Sequence, residues 1–92
     1  MIAYDRRREL LQLALWRDVD VAVRPQSGAW ITKRAPYAVA ADVVFRGIVN
    51  HRGTAIFDDR DGAVAWIERH HPELVRVAPL ATDSPNLIAV WV

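Results

Sequence analysis

One segment of the chain, residues 59–71, carries clear start and stop signals for an α-helix. Asp58 can cap this segment, and acidic residues occupy its first turn, where they interact favourably with the helix dipole. Pro72 then stops the helix, because proline cannot donate a backbone hydrogen bond. The apolar stripe at helical spacing consists of Ala63, Trp66, Ile67 and His70. The rest of the chain must supply the layer that covers this stripe.

The residues before this helix contain the pattern of an antiparallel hairpin. Residues 19–24 alternate between apolar and polar, as in a half-buried strand. Residues 25–28, Pro-Gln-Ser-Gly, supply turn chemistry, because proline restricts φ and glycine tolerates positive φ. Residues 29–33 predict the returning strand. Two further strands are predicted at 74–77 and 87–92, with a loop over 81–86 between them.

Residues 37–49 fit either a helix or a strand. At helical spacing the apolar residues are Tyr37, Ala40, Ala41, Val44, Phe45 and Ile48. As a strand, the odd-numbered residues from 37 to 49 form a wholly apolar face. The β-branched and aromatic residues at 43–45 favour a strand over 43–49, which would turn at 50–53 and return along 54–57.

The first segment, residues 4–16, predicts a second helix. Its apolar residues at helical spacing are Ala3, Tyr4, Leu10, Leu11, Ala14 and Leu15. Arg7 lies at the centre of the same face. Either its aliphatic stem lies along apolar surface, or the packed stripe begins only at Leu10.

These segments together predict a small, single α+β domain over residues 1–92, with an N-terminal helix, a mostly antiparallel sheet of about four to six strands, and one well-defined helix near 59–71. A hydrophobic content of 52% with 25% charged residues is typical of a globular chain rather than a disordered one. The absence of cysteine excludes disulfide scaffolds, thiol nucleophiles and cysteine-based metal sites. No stretch approaches the ~18 apolar residues of a spanning helix, and no cleavage site follows the basic start. We therefore expect a cytoplasmic protein without membrane contact.

Motifs for metal binding and catalysis are weak in this sequence. The acidic turn around Gly62 is spaced like a calcium loop but lacks an acidic residue at the first ligand position. His70 and His71 would point about 100° apart on a helix and could not chelate one ion. The serines lie in predicted turns, and there is no nucleophile elbow or phosphate-binding loop. We therefore expect no enzyme activity, no metal and no cofactor; one catalytic pairing, His51 with Asp58, is left open.

Charge is divided unevenly along the chain. Residues 1–57 contain nine basic and five acidic residues, whereas residues 58–92 contain three and six, so a net charge of +4 is followed by −3. Arginine and lysine side chains can neutralise phosphates, which makes nucleic-acid binding through the basic N-terminal part the alternative function. The basic residues that we consider as candidate contacts are Arg6, Arg7, Arg8, Arg34 and Arg52.

Four tryptophans are more than a core of this size readily hides. Because exposed tryptophan and arginine are favoured anchors of interfaces, we expect a non-enzymatic protein–protein interaction module. Such a module could be an inhibitor or adaptor of a larger complex, for example an accessory factor of a phage or mobile element. The candidate contacts are Trp16, on the polar face of the predicted first helix, and Trp91, in a C-terminal strand expected at a sheet edge. A homodimer through Trp16 is a further possibility.

Overall fold

The computed structural model describes residues 9–92 of the chain. Five strands and one helix follow one another as β1 (Leu10–Val23), β2 (Ile31–Phe45), β3 (Ile48–Phe57), α1 (Arg60–His70), β4 (Arg76–Val77) and β5 (Leu87–Trp91). The strands form one antiparallel sheet in the order β3-β2-β1-β5-β4. The prediction of a small α+β domain with an antiparallel sheet and a helix near residues 59–71 is confirmed.

The predicted helix over residues 4–16 is wrong where the structure describes it, because β1 begins at Leu10. Residues 4–8 of that prediction lie outside the described residues. β1 is the central strand, with β2 on one side and β5 on the other. Leu13 and Leu15 are buried on one face of it and Ala14 on the other. A strand buried on both faces is apolar throughout, so its periodicity does not distinguish it from a helix.

The ambiguous segment 37–49 is strand, interrupted by a tight turn. Phe45 pairs with Ile48, and Arg46 and Gly47 between them have φ values of 52° and 78°. Positive φ at both residues is what a two-residue type I′ turn requires. The predicted turn at 50–53 is therefore wrong, since these residues lie inside β3. The other predicted hairpin, with its turn at 25–28, is confirmed.

α1 begins one residue later than its sequence signals suggested. Its N-cap is Asp59 rather than Asp58, and the Asp59 carboxylate accepts a hydrogen bond from the Gly62 backbone N–H at 3.1 Å. The buried cluster joins two helix residues with residues of β1, β2 and β5: Ala63, Ile67, Leu13, Leu15, Val39, Ala89 and Trp91. α1 has 11 residues, and no helix in the described part of the chain is long and apolar enough to cross a membrane.

The sheet has a second face, opposite α1, that no helix covers within residues 9–92. We call it the open face; it carries the residues that alternate with the core, including Ala14, Trp16, Ala38, Ala40 and Thr54. Ala38 and Ala40 flank the core residue Val39 along β2, and therefore point away from the helix. The α-helix thus buries only one side of this sheet.

Beyond residue 17, β1 and β2 continue as a two-stranded hairpin. β5 pairs with residues 13–16 of β1, and β3 pairs with residues 37–45 of β2, so neither flanks residues 19–35. We call residues 19–35 the arm. The 14 residues of β1 span about 46 Å at ~3.3 Å per residue, which is close to the longest dimension of 52 Å. The arm therefore makes the molecule elongated.

Candidate functional site: the arm cleft

A cleft of about 750 Å³ lies between the arm and the open face. We call it the arm cleft. Its lining comes from the arm, β1, β2 and β3: residues 19–23, Trp30, Trp16, Ala38, Ala40 and residues 51–54. Because alanine side chains are short, Ala38 and Ala40 form a shallow floor between the tryptophans. Side chains of the arm and of the open face together form the walls of the cleft.

The base of the arm is held by the loop that precedes β5. The Asn86 side-chain amide donates hydrogen bonds to the carbonyls of Arg17 and Asp18 at 3.0 and 3.1 Å. The Arg17 backbone N–H donates to the Asn86 carbonyl at 2.9 Å, and its guanidinium donates to the Pro85 carbonyl at 3.1 Å. Asp18 has a φ of 50°, a conformation that aspartate adopts more readily than most residues. These contacts set the direction in which the arm leaves the sheet.

Three polar side chains form a hydrogen-bonded array at the β3 side of the cleft. His51 Nδ1 lies 3.0 Å from Asp42 Oδ1, and His51 Nε2 lies 3.1 Å from Thr54 Oγ1. His51 and Thr54 line the cleft, while Asp42 lies on the neighbouring strand β2. The side chain of Asp42 is 28% exposed and that of His51 is 56% exposed. The array therefore meets solvent mainly at His51 and Thr54.

A β-bulge brings His51 and Thr54 to the same face. In a regular strand, residues three apart in sequence point to opposite faces. Here Gly53 pairs with Ala41 and His51 pairs with Asp42, so that Arg52 has no partner in the ladder. This extra residue shifts the alternation of side chains along β3 by one position. His51 and Thr54 therefore both lie on the open face with Asp42.

The carboxylate determines which nitrogen of His51 carries the proton. An ionised carboxylate only accepts hydrogen bonds, so Nδ1 donates to Asp42. In the neutral ring Nε2 is then an acceptor, and the Thr54 hydroxyl donates to it. Hydroxyl, imidazole and carboxylate are joined in the same order in the Ser-His-Asp triad. The arrangement can accept the hydroxyl proton of Thr54 as a bond forms at its oxygen.

This array was not predicted from the sequence, which left open a pairing of His51 with Asp58. The structure pairs His51 with Asp42 instead. One signal was present: a glycine inside a strand pattern often marks a bulge, and Gly53 is such a residue. The predicted turn at 50–53 would instead divide β3 into two strands and leave His51 in the loop between them.

The two tryptophans proposed as contacts lie in different environments. Trp91 is in the core, 1% exposed, with the Arg76 guanidinium 5.4 Å from its ring centre. β5 is also not at the edge of the sheet, because β4 pairs with it at Val90 and Trp91. Trp91 therefore offers no surface to a partner. Trp16 is half-buried in the floor of the arm cleft, and Trp30 at the arm is 64% exposed.

The proposed basic contacts that the structure describes each have an acidic neighbour. Arg34 lies on the arm, with its Nη1 3.4 Å from Asp20 Oδ1. Arg52 lies in β3, with its Nη2 3.9 Å from Glu9 Oε1. Such surface pairs are weak, but they reduce the net positive charge that each arginine presents. The other three, Arg6, Arg7 and Arg8, lie outside the described residues.

The histidines at the end of α1 take part in local contacts. His70 Nδ1 lies 2.9 Å from the Trp66 carbonyl, and His71 Nδ1 lies 3.5 Å from Glu73 Oε1. Within residues 9–92, no three histidine, aspartate or glutamate side chains are grouped so as to hold a metal ion.

Comparisons with known proteins yield no match to a family model, to a curated protein or to a solved structure. Its function is therefore inferred from the geometry of the arm cleft and from the chemistry of the side chains that line it.

Proposed function

We propose that this protein is a protein–protein interaction module that holds an extended segment of a partner protein in the arm cleft. The observation that carries the proposal is the cleft itself, a space of about 750 Å³ over a sheet face that no helix of residues 9–92 covers. A sheet in a small domain normally has its apolar faces covered by another layer. A bound segment would supply that layer, as expected of an inhibitor or adaptor with one working surface.

Exposed apolar side chains on the open face support this proposal. Leu10 pairs with Val44, which pairs in turn with Val49 on β3, so all three share one face. Leu10 and Val49 are both more than half exposed. At the other side of the sheet, Val77 is also exposed and belongs to the same face through its partner in β5. Leu10, Val44 and Val49 thus form an apolar patch on the same face as the cleft, outside its lining, and exposed apolar patches are characteristic of interaction sites.

The two tryptophans of the cleft suit the role of anchors. Trp30 projects from the arm and Trp16 lies in the floor, so a segment between them would contact both indole rings. Tryptophans that become fully covered in an interface commonly cost ~2 kcal/mol or more of binding free energy when truncated to alanine. Substitution of Trp30 is more informative than substitution of Trp16, because Trp30 is 64% exposed and contributes little to the stability of the fold.

The free edge of β3 favours an extended segment as the occupant. Among residues 9–92, β3 has a neighbouring strand on one side only, so backbone N–H and C=O groups along its other side have no partner strand in that part of the chain. Residues 51–54 of β3 also line the cleft. A segment that pairs with this edge can therefore form backbone hydrogen bonds while its alternate side chains enter the cleft.

The test is affinity capture from the native cell with the unmodified chain and two variants. Trp30→Ala removes an exposed anchor of the cleft, and Leu80→Ala removes an apolar side chain of similar exposure outside it. We expect a stoichiometric partner with the unmodified chain and with Leu80→Ala, and at least a ~10-fold weaker affinity with Trp30→Ala. Urea denaturation of both variants serves as the folding control. Equal capture by both variants would contradict the proposal.

Nucleic-acid binding through the basic N-terminal part is the weaker alternative, since Arg34 and Arg52 each lie beside a carboxylate. It predicts binding to single- or double-stranded oligonucleotides that weakens with salt. Loss of such binding in an Arg6/Arg7/Arg8→Ala variant would favour this alternative. Absence of binding at low salt would eliminate it.

A further inference from the structure

We infer that Thr54 is an activated nucleophile, and that the arm cleft is an acyl-transfer site for small esters with an apolar acyl group. This activity goes beyond the binding of a partner segment. It rests on the juxtaposition of the Asp42–His51–Thr54 array with the apolar floor of the cleft. The array places a hydroxyl, its base and the group that orients the base in contact beside a space large enough for a small molecule.

The hydrogen bonds of the array have the lengths that nucleophilic catalysis requires. The Thr54 Oγ1 to His51 Nε2 distance of 3.1 Å and the His51 Nδ1 to Asp42 Oδ1 distance of 3.0 Å both fall in the range of ~2.6–3.2 Å. Both ring nitrogens are engaged, so the imidazole cannot rotate without losing both contacts. The three residues are also carried on paired strands joined by a two-residue turn, which is a rigid support.

The cleft can hold the acyl group of such an ester. Its volume of about 750 Å³ falls within the ~300–1,000 Å³ that is typical of small-molecule sites. Thr54 pairs with Ala40 across the β2–β3 ladder, and Ala38 pairs with Trp16 across the β1–β2 ladder. An acyl chain attached at Thr54 would therefore extend over Ala40 and Ala38 towards the Trp16 ring.

The reaction consists of two balanced steps. In the first, Thr54 Oγ1 bonds to the ester carbonyl carbon as its proton passes to His51 Nε2; the carbon–alkoxy bond then breaks, and the leaving alcohol takes that proton. In the second, His51 accepts a proton from water, whose oxygen bonds to the carbonyl carbon. Thr54 Oγ1 leaves with that proton, and the free acid is released. Asp42 stays ionised and stabilises the imidazolium that forms in both steps.

The surroundings of the array limit the rate and the range of substrates. Because His51 is 56% exposed, water weakens the electrostatic stabilisation that a closed site would provide. Backbone N–H groups along the edge of β3 that no strand of residues 9–92 pairs with are the donors that could stabilise the developing oxyanion. We therefore expect slow turnover of esters with good leaving groups.

The test uses the full chain and p-nitrophenyl butyrate, with release of p-nitrophenol and the intact protein mass as readouts. Thr54→Val removes the hydroxyl at nearly constant volume, and Thr82→Val is the matched control in an exposed loop outside the cleft. We expect a butyryl adduct on Thr54 in the unmodified chain, and at least a ~100-fold lower rate in Thr54→Val and His51→Gln, since general base catalysis contributes ~10²–10⁴-fold. Thr54→Ser should retain both the adduct and turnover.

Asp42→Asn tests whether Asp42 orients the imidazole of His51 or only packs against it. An amide in this position can donate to Nδ1 and so favour the tautomer with its proton on Nε2, which cannot accept the proton of Thr54. We expect its rate to fall at least ~10-fold, with the urea midpoint nearly unchanged. No turnover above a protein-free blank in the unmodified chain would overturn the inference. An undiminished rate in Thr54→Val would also overturn it, because the ester would then react at another group.

Discussion

Asn86 holds Asp18 in a left-handed backbone conformation from 68 positions along the chain, with a hydrogen bond of 3.1 Å from its side-chain amide to the Asp18 carbonyl. A second hydrogen bond of 3.0 Å reaches the carbonyl of Arg17. The arm leaves the sheet at this point. The shape of the arm cleft therefore depends on a loop that is close to the other end of the chain.

Replacing Asn86 by alanine should destabilise the fold and loosen the arm. Two hydrogen bonds to backbone carbonyls are lost, and each contributes roughly 0.5–1.5 kcal/mol. We expect the free energy of unfolding in urea to fall by about 1–2 kcal/mol, and the amide protons of residues 19–35 to exchange faster. Asn50→Ala is the control, because Asn50 is exposed on β3. Its effect should stay within ~0.5 kcal/mol; equal effects of the two substitutions would contradict the role of Asn86.

A substitution at Arg46, in the turn between β2 and β3, should stabilise the fold. This residue has a φ of 52°, and a left-handed conformation costs a non-glycine residue ~1–2 kcal/mol. Its guanidinium also lies 5.2 Å from the Phe45 ring centre, but an exposed contact of this kind contributes only ~0.5–1 kcal/mol. Arg46→Asn creates the Asn-Gly pair that type I′ turns favour. We expect a net gain of about 0.5 kcal/mol in thermal or urea unfolding, and a loss for Gly47→Ala in the same turn.

The strands of the fold were predictable where one face is polar, and not where both faces are apolar. Residues 19–23 of the arm alternate clearly, and the sequence predicts their strand and the turn that follows. The central part of β1 contains Leu13 and Leu15 on the core side and Ala14 on the open face, all buried. Because these residues are all apolar, their sequence does not show the alternation with a period of two that is typical of a strand. The environment on both sides of β1, which decides its structure, is supplied by distant segments.

The contacts of the candidate site depend on the register in which β2 pairs with β3. The sequence pattern does not determine this register. The residues 50–53, Asn-His-Arg-Gly, favour a turn by composition, whereas the chain turns four residues earlier at Arg46 and Gly47. A shift of this size changes which residues face one another across a hairpin. The pairing of His51 with Asp42 therefore became visible only in the folded structure.

Substitutions of Asp59 and of its neighbour Asp58 test which of the two residues caps the start of α1. Asp59 accepts a hydrogen bond from the Gly62 N–H at 3.1 Å, so Asp59→Ala should reduce the free energy of unfolding by about 0.5–2 kcal/mol. Asp58, the cap that the sequence suggested, is exposed and precedes the N-cap. Asp58→Ala should therefore change stability by less than ~0.5 kcal/mol. Urea denaturation of the two variants distinguishes these outcomes, and a larger effect at Asp58 would contradict the assignment of the cap.

Filling the floor of the arm cleft should abolish the partner binding and the ester turnover that we propose for it, without unfolding the protein. Ala40 is half-buried on the open face and pairs with Thr54, so the additional carbons of Ala40→Leu would occupy the space beside the hydroxyl. The core on the other face of the sheet is not altered, and burial of the added apolar surface offsets the cost of ordering the side chain. We expect an unchanged or slightly higher urea midpoint, together with loss of partner binding and of ester turnover.

The matched control for this variant is Ala65→Leu, which adds the same carbons to an exposed position of α1. It should leave binding and turnover as they are in the unmodified chain. The proposed partner binding and the proposed acyl transfer would use different groups of the cleft, so Ala40→Leu also tests whether they share one space. Loss of only one of them would place the other outside the cleft, and retention of both in a folded variant would remove the arm cleft as the functional site.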